Sequence, residues 1–209
     1  MNRKIPKIYP ITDTQISGLS HLAQAKSLIA GGTRIVQLRE KNAAPRDWFD
    51  DALSVAELCR EKNVLLIVND RVDIALAIGA DGVHLGQLDL PPTAARKLLG
   101  ETAIIGFSTH TVEQVRTAIK FPINYVAFGP VFPTSTKFDP DAVVGLEMLK
   151  QVRELAGDIP LVAIGGISRD NAKSVLASGA DSVAVIGALL SDPTQIESRF
   201  REFSDRIDK

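Results

Sequence analysis

Eight short runs of Val, Ile, Leu and small residues recur along the 209-residue chain at intervals of about 26 residues, close to the length of one βα unit. They occupy residues 7–12, 33–39, 64–69, 82–85, 104–108, 125–129, 161–164 and 182–186. Most carry few charges and do not alternate polar with apolar, which is how strands buried on both faces read in a parallel sheet. Between them lie segments with helical spacing at 48–62, 93–99, 146–155, 171–177 and 195–207. In the first, Trp48, Ala52, Val55, Ala56 and Leu58 share one face, and Gly179 is placed to end the fourth. A doubly wound open sheet usually has fewer strands. Eight βα units point instead to a single (β/α)8 TIM barrel over residues 1–209, an α/β fold near its lower size limit.

Composition supports this and excludes alternatives. Hydrophobic residues make up 45% of the chain, enough for a large core and too many for disorder. Twenty-four Lys and Arg against 25 Asp and Glu give a net charge of -1, which argues against a nucleic-acid partner. No apolar run approaches the roughly 18 residues of a membrane span, so no membrane partner is expected. The basic N-terminus lacks a following apolar segment, and the lone Cys59 cannot form an internal disulfide. These features point to a cytoplasmic protein, with Cys59 a buried small hydrophobe. Trp48 is expected between helix and barrel, and the last helix is expected to close the barrel. Oligomeric state is not legible.

In a (β/α)8 barrel the active site forms at the C-terminal ends of the strands. Here those ends are polar or glycine-rich. The second run ends Gln37-Leu38-Arg39-Glu40-Lys41, where alternation puts Gln37, Arg39 and Lys41 on one side. An amide, a guanidinium and an ammonium converging there suit an anion; the alternative is a surface charge cluster. The third run ends Asn69-Asp70-Arg71, and the fourth reaches Gly86-Gln87-Leu88-Asp89. Asp70 and Asp89 are about one unit apart, so neighbouring loops would bring them together. Two carboxylates beside a phosphate site fit Mg2+. The alternative pairs Asp70 with Arg71 and makes Asp89 a helix cap before Pro91 and Pro92.

The fifth run ends Gly106-Phe107-Ser108-Thr109-His110, which is no nucleophile elbow; Ser108 reads as a hydroxyl donor to substrate. The histidines (His21, His84, His110) lack metal-ligand spacing and read as structural. The sixth run opens into a hydroxyl-rich loop, Thr134-Ser135-Thr136-Lys137, suited to phosphate contact or a lid. Glycines follow the seventh and eighth runs at Gly165, Gly166 and Gly187, where barrel loops often hold phosphate through backbone N–H groups. Two anion subsites result, one cationic with a carboxylate pair and one lined by backbone. They imply two small phosphorylated substrates, or two phosphates of one, with a diphosphate on the cationic side.

The chain resembles the thiamine phosphate synthase family. The resemblance rests on Tyr-Pro-Ile-Thr-Asp at 9–13, Gln-Leu-Arg-Glu-Lys at 37–41, Asn-Asp-Arg at 69–71 and Asp-Gly-Val-His-Leu-Gly-Gln-Leu-Asp at 81–89. Gly-Phe-Ser at 106–108, Phe-Gly-Pro-Val-Phe-Pro-Thr-Ser-Thr-Lys at 128–137 and Ala-Ile-Gly-Gly-Ile at 163–167 complete it. It covers essentially the whole chain, with the motifs in family order.

The resemblance implies a transferase of thiamine biosynthesis. Such an enzyme joins hydroxymethylpyrimidine diphosphate to hydroxyethylthiazole phosphate, or its carboxylated form. It releases diphosphate in a dissociative, Mg-assisted displacement. Gln37, Arg39, Lys41, Asn69, Ser108 and Lys137 would surround the pyrimidine diphosphate, with Arg39, Lys41, Ser108 and Lys137 acting catalytically. Asp70 and Asp89 would hold Mg2+. Thr134, Thr136, Gly166, Ile186 and Gly187 would hold the thiazole phosphate. Gly187 stands where the family commonly has serine, so one hydroxyl contact to that phosphate is missing, of order 1 kcal/mol. The related thiazole tautomerases typically replace the Asn-Asp pair and the Gly-Gln-x-Asp run, and carry a histidine where this chain has Pro130. A sugar-phosphate isomerase or epimerase of this fold would need a placed pair of bases, which these strand ends do not offer.

Overall fold

The computed structural model describes residues 5–134 and 141–208. Eight parallel strands close a barrel: β1 (Ile8–Thr12), β2 (Ile35–Leu38), β3 (Leu65–Asn69), β4 (Gly82–Leu85), β5 (Ile104–Thr109), β6 (Tyr125–Phe128), β7 (Leu161–Ile164) and β8 (Ser182–Val185). Each pairs with its neighbour in chain order, and β8 pairs back to β1 through Ile8–Val183, Tyr9–Ala184 and Pro10–Val185. The described helices are α1 (Thr14–Ser17), α2 (His21–Ala30), α3 (Pro45–Lys62), α4 (Val72–Ile78), α5 (Pro92–Leu99), α6 (Val112–Ala118), α7 (Gly145–Ala156), α8 (Ala172–Ala177), α9 (Gly187–Leu190) and α10 (Ile196–Asp208).

The strands are buried on both faces, and alternation sorts their side chains into two cores. Tyr9, Ile11, Ile35, Ile67, Ile104, Tyr125, Ala127, Val162 and Ala184 fill the lumen. Val36, Leu38, Leu66, Val68, Val83, Leu85, Ile105, Val126 and Phe128 face outward against the helices. The same parity carries the polar residues Gln37, Asn69, His84 and Ser108 inward, toward the C-terminal mouth. The helices are set by local chemistry. Ser20 caps α2 by accepting from Ala23 N, and Pro45 starts α3. Asn63, in the left-handed region at φ 54°, ends α3. A recurring device ties the loops before the strands to their neighbours. Asp81, Asn124 and Asp181 accept from the backbone N–H of Leu66, Ile105 and Leu161 at 2.8–3.0 Å.

One expectation needs correction. The strand pair β8–β1, not the last helix, closes the barrel; α10 packs outside, against α2, α8 and α9. Helices α1, α2, α4, α6 and α9 escape the periodicity. The buried face of α2 includes His21 and Gln24 beside Ala25 and Leu28, so polar residues interrupt its apolar stripe. The others have four to seven residues each, too short for a 3.6-residue period to stand out. Cys59 is buried, and burial pushes its thiol up to about 12. Trp48 is buried as expected, in the layer between barrel and helices, and leans on His21 at 5.8 Å between ring centroids.

Candidate active site

β2 ends at Leu38, so strand alternation delivers Gln37 into the lumen, while Arg39 and Lys41 leave from the following loop. Both cations find carboxylates from neighbouring units. Arg39 forms an ion pair with Asp13 at the end of β1, and Asp13 also accepts from Gln15 N to cap α1. A guanidinium has five donors, so a single carboxylate leaves others for a ligand. Glu40 braces the loop behind them by accepting from Thr14 Oγ1 and from the backbone N–H of Asn42 and Ala43. These bonds hold the Glu40 carboxyl below the usual range against the opposing effect of burial.

Lys41 is paired with Asp70. Asp70 sits in the left-handed region at φ 62°, a conformation Asp tolerates better than most side chains. Its N–H bonds to His84 O at 2.8 Å, while Arg71 N bonds to Asn69 O at 2.7 Å. Asp89 accepts from Gly86 N at 2.6 Å and lies within hydrogen-bonding reach of Asp70. Burial raises the proton affinity of Asp89, and the Asp70 carboxyl raises it further, while Gly86 N–H and Lys41 oppose the shift. Lys41, Asp70 and Asp89 therefore form one cluster at the ends of β2, β3 and β4. The alternative pairings fail: Arg71 pairs with Asp73, and α5 has no side-chain cap at its N-terminus.

The cluster fits a divalent cation through its donor set. Two hard carboxylates from adjacent loops repel each other, and Mg2+ would relieve that repulsion while taking its remaining oxygens from substrate and water. Among the described residues, no group of three or more His, Cys, Asp or Glu is placed to hold a metal ion, so the protein's contribution here is the Asp70 and Asp89 pair. Beside the cluster, the Asn69 amide nitrogen is buried without a hydrogen-bond partner. A buried donor left unpaired is costly unless a ligand takes it up.

Ser108 lies toward the end of β5. Its hydroxyl is 2.8 Å from His84 Nε2, and its carbonyl accepts from Gln87 Nε2 at 2.6 Å. Behind it, His84 Nδ1 is 2.9 Å from Tyr125 Oη, and Tyr125 Oη is 2.9 Å from Tyr9 Oη. Gln37 Nε2 then donates to Tyr9 at 3.2 Å. The His84 and Tyr125 rings stack at 5.5 Å between centroids. Burial drives the His84 imidazole down to about 4, so it is neutral at pH 7, and burial drives both phenols upward.

The opposite rim is backbone-built. Val131 N and Phe132 N bond to Ile164 O and Gly165 O at 2.9 and 3.1 Å, lacing the loop after β6 to the loop after β7. Gly166, at φ 62°, lies so close to that loop that a Cβ would sit 2.4 Å from Pro133 O. Asn171 Nδ2 holds the turn by donating to Gly166 O at 3.0 Å. Ile186 and Gly187 begin α9 beside it, and Thr134 is half-buried at the start of the adjoining loop. Thr136 and Lys137 lie outside the described residues.

The structure thus gathers Arg39, Lys41, Asp70, Asp89 and Asn69 on one rim, with Ser108 on the neighbouring strand end, and sets Gly166, Ile186 and Gly187 on the other. The sequence assigns no functional role to Asp13, Tyr9, Tyr125 or Gln87, and by its spacing His84 reads as structural. For Asp13 the signal was its place at a strand end. His84 and Tyr125 could have been found by lumen parity, although parity does not reveal their bonds.

A family model described as thiamine monophosphate synthase matches residues 8–189. The chain is 45% identical over 204 residues to the thiamine-phosphate synthase of Koribacter versatilis, covering 94% of this chain and 95% of that protein. It is 48% identical over 187 residues to the thiamine-phosphate synthase of Clostridium novyi, covering 89% and 91%. Among solved structures, the thiamine phosphate pyrophosphorylase of Pyrococcus furiosus superposes with a TM-score of 0.87. The identity there is 35%, covering 99% of this chain and 97% of the other.

Proposed function

Since the chain belongs to the thiamine monophosphate synthase family, we propose that it is a transferase that forms thiamine phosphate from a pyrimidine diphosphate and a thiazole phosphate. The observation that carries the reading is the Lys41–Asp70–Asp89 cluster beside the unpartnered Asn69 amide nitrogen, a cationic and carboxylate rim suited to a diphosphate and its metal. The glycine-built rim at Gly166, Ile186 and Gly187, with Thr134 beside it, supports a second, singly phosphorylated substrate, to which Thr136 is also assigned. Hydroxyethylthiazole phosphate or its carboxylated form is that substrate.

The pyrimidine is electron-rich, so its methylene carbon can lose diphosphate as a stabilised cation, and the thiazole nitrogen then attacks it. No protein nucleophile is needed. Arg39, Lys41 and Lys137 take up the charge that develops on the departing diphosphate, and Ser108 and Asn69 donate hydrogen bonds to the pyrimidine diphosphate. Gln37 joins them from the lumen. Asp70 and Asp89 would hold Mg2+, which supplies electrostatic stabilisation to the leaving group. The remaining acceleration comes from holding the thiazole nitrogen against the methylene carbon.

Asp70→Ala and Lys137→Ala proteins test these roles. Both are expected to fold, as read by circular dichroism, and to lose turnover by roughly 100-fold or more, the scale seen when one element of the electrostatic stabilisation of transition-state charge is removed. Near-normal turnover of either purified protein would remove that residue from the site. Turnover of a thiazole carboxylate tautomer, without any pyrimidine substrate, would instead point to the tautomerase branch of the fold.

A further inference from the structure

A continuous hydrogen-bonded chain crosses the barrel lumen from β2 to β5, linking Gln37, Tyr9, Tyr125, His84 and Ser108. Tyr9, Tyr125, Gln37 and His84 are all buried, so each proton in the chain must find an acceptor. Donor accounting then fixes its direction. The Gln37 amide nitrogen can only donate, so Tyr9 Oη accepts from it. The Tyr9 proton is placed only if it goes to Tyr125 Oη, and the Tyr125 proton then goes to His84 Nδ1. With Nδ1 accepting, the neutral imidazole carries its own proton on Nε2, which faces Ser108 Oγ at 2.8 Å. Ser108 Oγ therefore accepts from behind, and its own proton is free to point into the site.

The other proton arrangements fail the same accounting. If His84 carried its proton on Nδ1, or on both nitrogens, Tyr125 Oη would accept from it and donate to Tyr9. Tyr9 would then accept twice, from Gln37 and Tyr125, and its own proton would have no partner within the chain. A buried hydroxyl proton without an acceptor is costly, so these arrangements are disfavoured.

We propose that His84 is a positioning residue which, oriented by Tyr125 and Tyr9, turns the Ser108 hydroxyl outward as an obligate hydrogen-bond donor to the substrate. The inference deepens the proposed function, resting on its assignment of Ser108 to the pyrimidine diphosphate site. A hydroxyl facing an anion is useful only as a donor, and an unconstrained serine spends part of its time presenting lone pairs instead. The buried chain removes that freedom before substrate arrives, which is electrostatic preorganisation. The geometry also explains the close packing of β5 on β6. Gly106 leaves room for the Tyr125 ring, since a Cβ there would sit 2.0 Å from the ring.

Two measurements test the proposal. The first needs no substrate. Long-range 15N–1H correlation spectra of imidazole-labelled protein are expected to show His84 as the Nε2–H tautomer at neutral pH, and Tyr125→Phe is expected to mix the tautomers. An Nδ1–H or doubly protonated His84 in the wild-type protein overturns the proposal. The second is a double-mutant cycle in turnover. Tyr125→Phe, which keeps the ring, and His84→Gln, which can restore a donor toward Ser108, are each measured with Ser108 intact and with Ser108→Ala. Tyr125→Phe is expected to lower kcat about tenfold with KM changed less than threefold, and His84→Gln to lower it less. Both losses are expected to shrink to below twofold once Ser108 is alanine. Losses that persist undiminished in the Ser108→Ala background mean that His84 acts through the fold and not through Ser108, which overturns the proposal. A wild-type protein with the Nε2–H tautomer but no thiamine phosphate synthesis would refute the functional reading, and with it Ser108's place at the substrate.

Discussion

Gly106→Ala is the substitution whose effect can be worked most directly from the structure. Gly106 is not among the glycines with positive φ, so alanine's backbone preferences do not enter. The added methyl would meet Tyr125 at 2.0 Å from Cζ and 2.3 Å from Oη, whereas ordinary contact begins at 3.4 Å. The ring would have to retreat by about 1.4 Å, the difference between 3.4 and 2.0 Å. Tyr125 is wholly buried, with its hydroxyl bonded at 2.9 Å to both Tyr9 and His84. Overpacking of this kind costs about 1–3 kcal/mol, and two strained or broken buried hydrogen bonds add about 1 kcal/mol each. A total of about 3–5 kcal/mol is a large share of the roughly 5–15 kcal/mol that holds a domain folded. For a domain of this size it corresponds to a fall in Tm of roughly 6–20 °C. Thermal and urea melts of Gly106→Ala measure the cost. Repeating them with Tyr125→Leu, which removes the ring, is expected to shrink the increment to below about 1 kcal/mol because the two sites are coupled. A Gly106→Ala protein melting within 2 °C of wild type would show that the lumen is looser than described and that the Tyr125 position is not fixed.

Three further outcomes follow from the site. Burial and Asp70 raise the Asp89 carboxyl, so folding favours its protonated form. Its contribution is complete below the ordinary carboxylate range and is lost as pH rises through the raised value. Asp89→Asn without Mg2+ is therefore expected to melt above wild type at pH 7, with the gap narrowing toward pH 4; a lower melting point at pH 7 contradicts the assignment. Asp13→Ala removes both the cap of α1 and the partner of the largely buried Arg39. It is expected to cost about 2–4 kcal/mol in a urea melt, less than the break-up of a fully buried pair. The same change should raise KM for the pyrimidine diphosphate, and an unaltered melt with unaltered KM would dissociate Asp13 from Arg39.

The barrel was legible because its strands are buried on both faces, which leaves eight Val- and Ile-rich runs that no surface strand would show. The strand ends named the rim residues because a parallel barrel sends all eight C-terminal edges to one mouth. What the sequence left open is how those residues meet. Asp13–Arg39 and Lys41–Asp70 join residues 26 and 29 positions apart, about one βα unit, and Asp70 has Arg71 beside it in the sequence as a nearer partner. Tyr9 and Tyr125 meet across the lumen at a separation of 116 residues. Each looks like an ordinary aromatic core residue in its own strand. His84 read as structural by its spacing, and it is buried as such a residue should be, yet its second nitrogen reaches Ser108. Helix α2 stayed hidden because His21 and Gln24 occupy its buried face.

In the proposed reaction this barrel joins two phosphorylated substrates, with Asp70 and Asp89 as the residues that would hold the metal. Its most direct test mixes the purified protein with hydroxymethylpyrimidine diphosphate, hydroxyethylthiazole phosphate and Mg2+, and follows thiamine phosphate by chromatography beside an EDTA-treated control. Product is expected together with stoichiometric diphosphate, both abolished by EDTA and restored by excess Mg2+. Folded protein that yields no product would contradict the proposed reaction, and product undiminished by EDTA would contradict the metal's place in it.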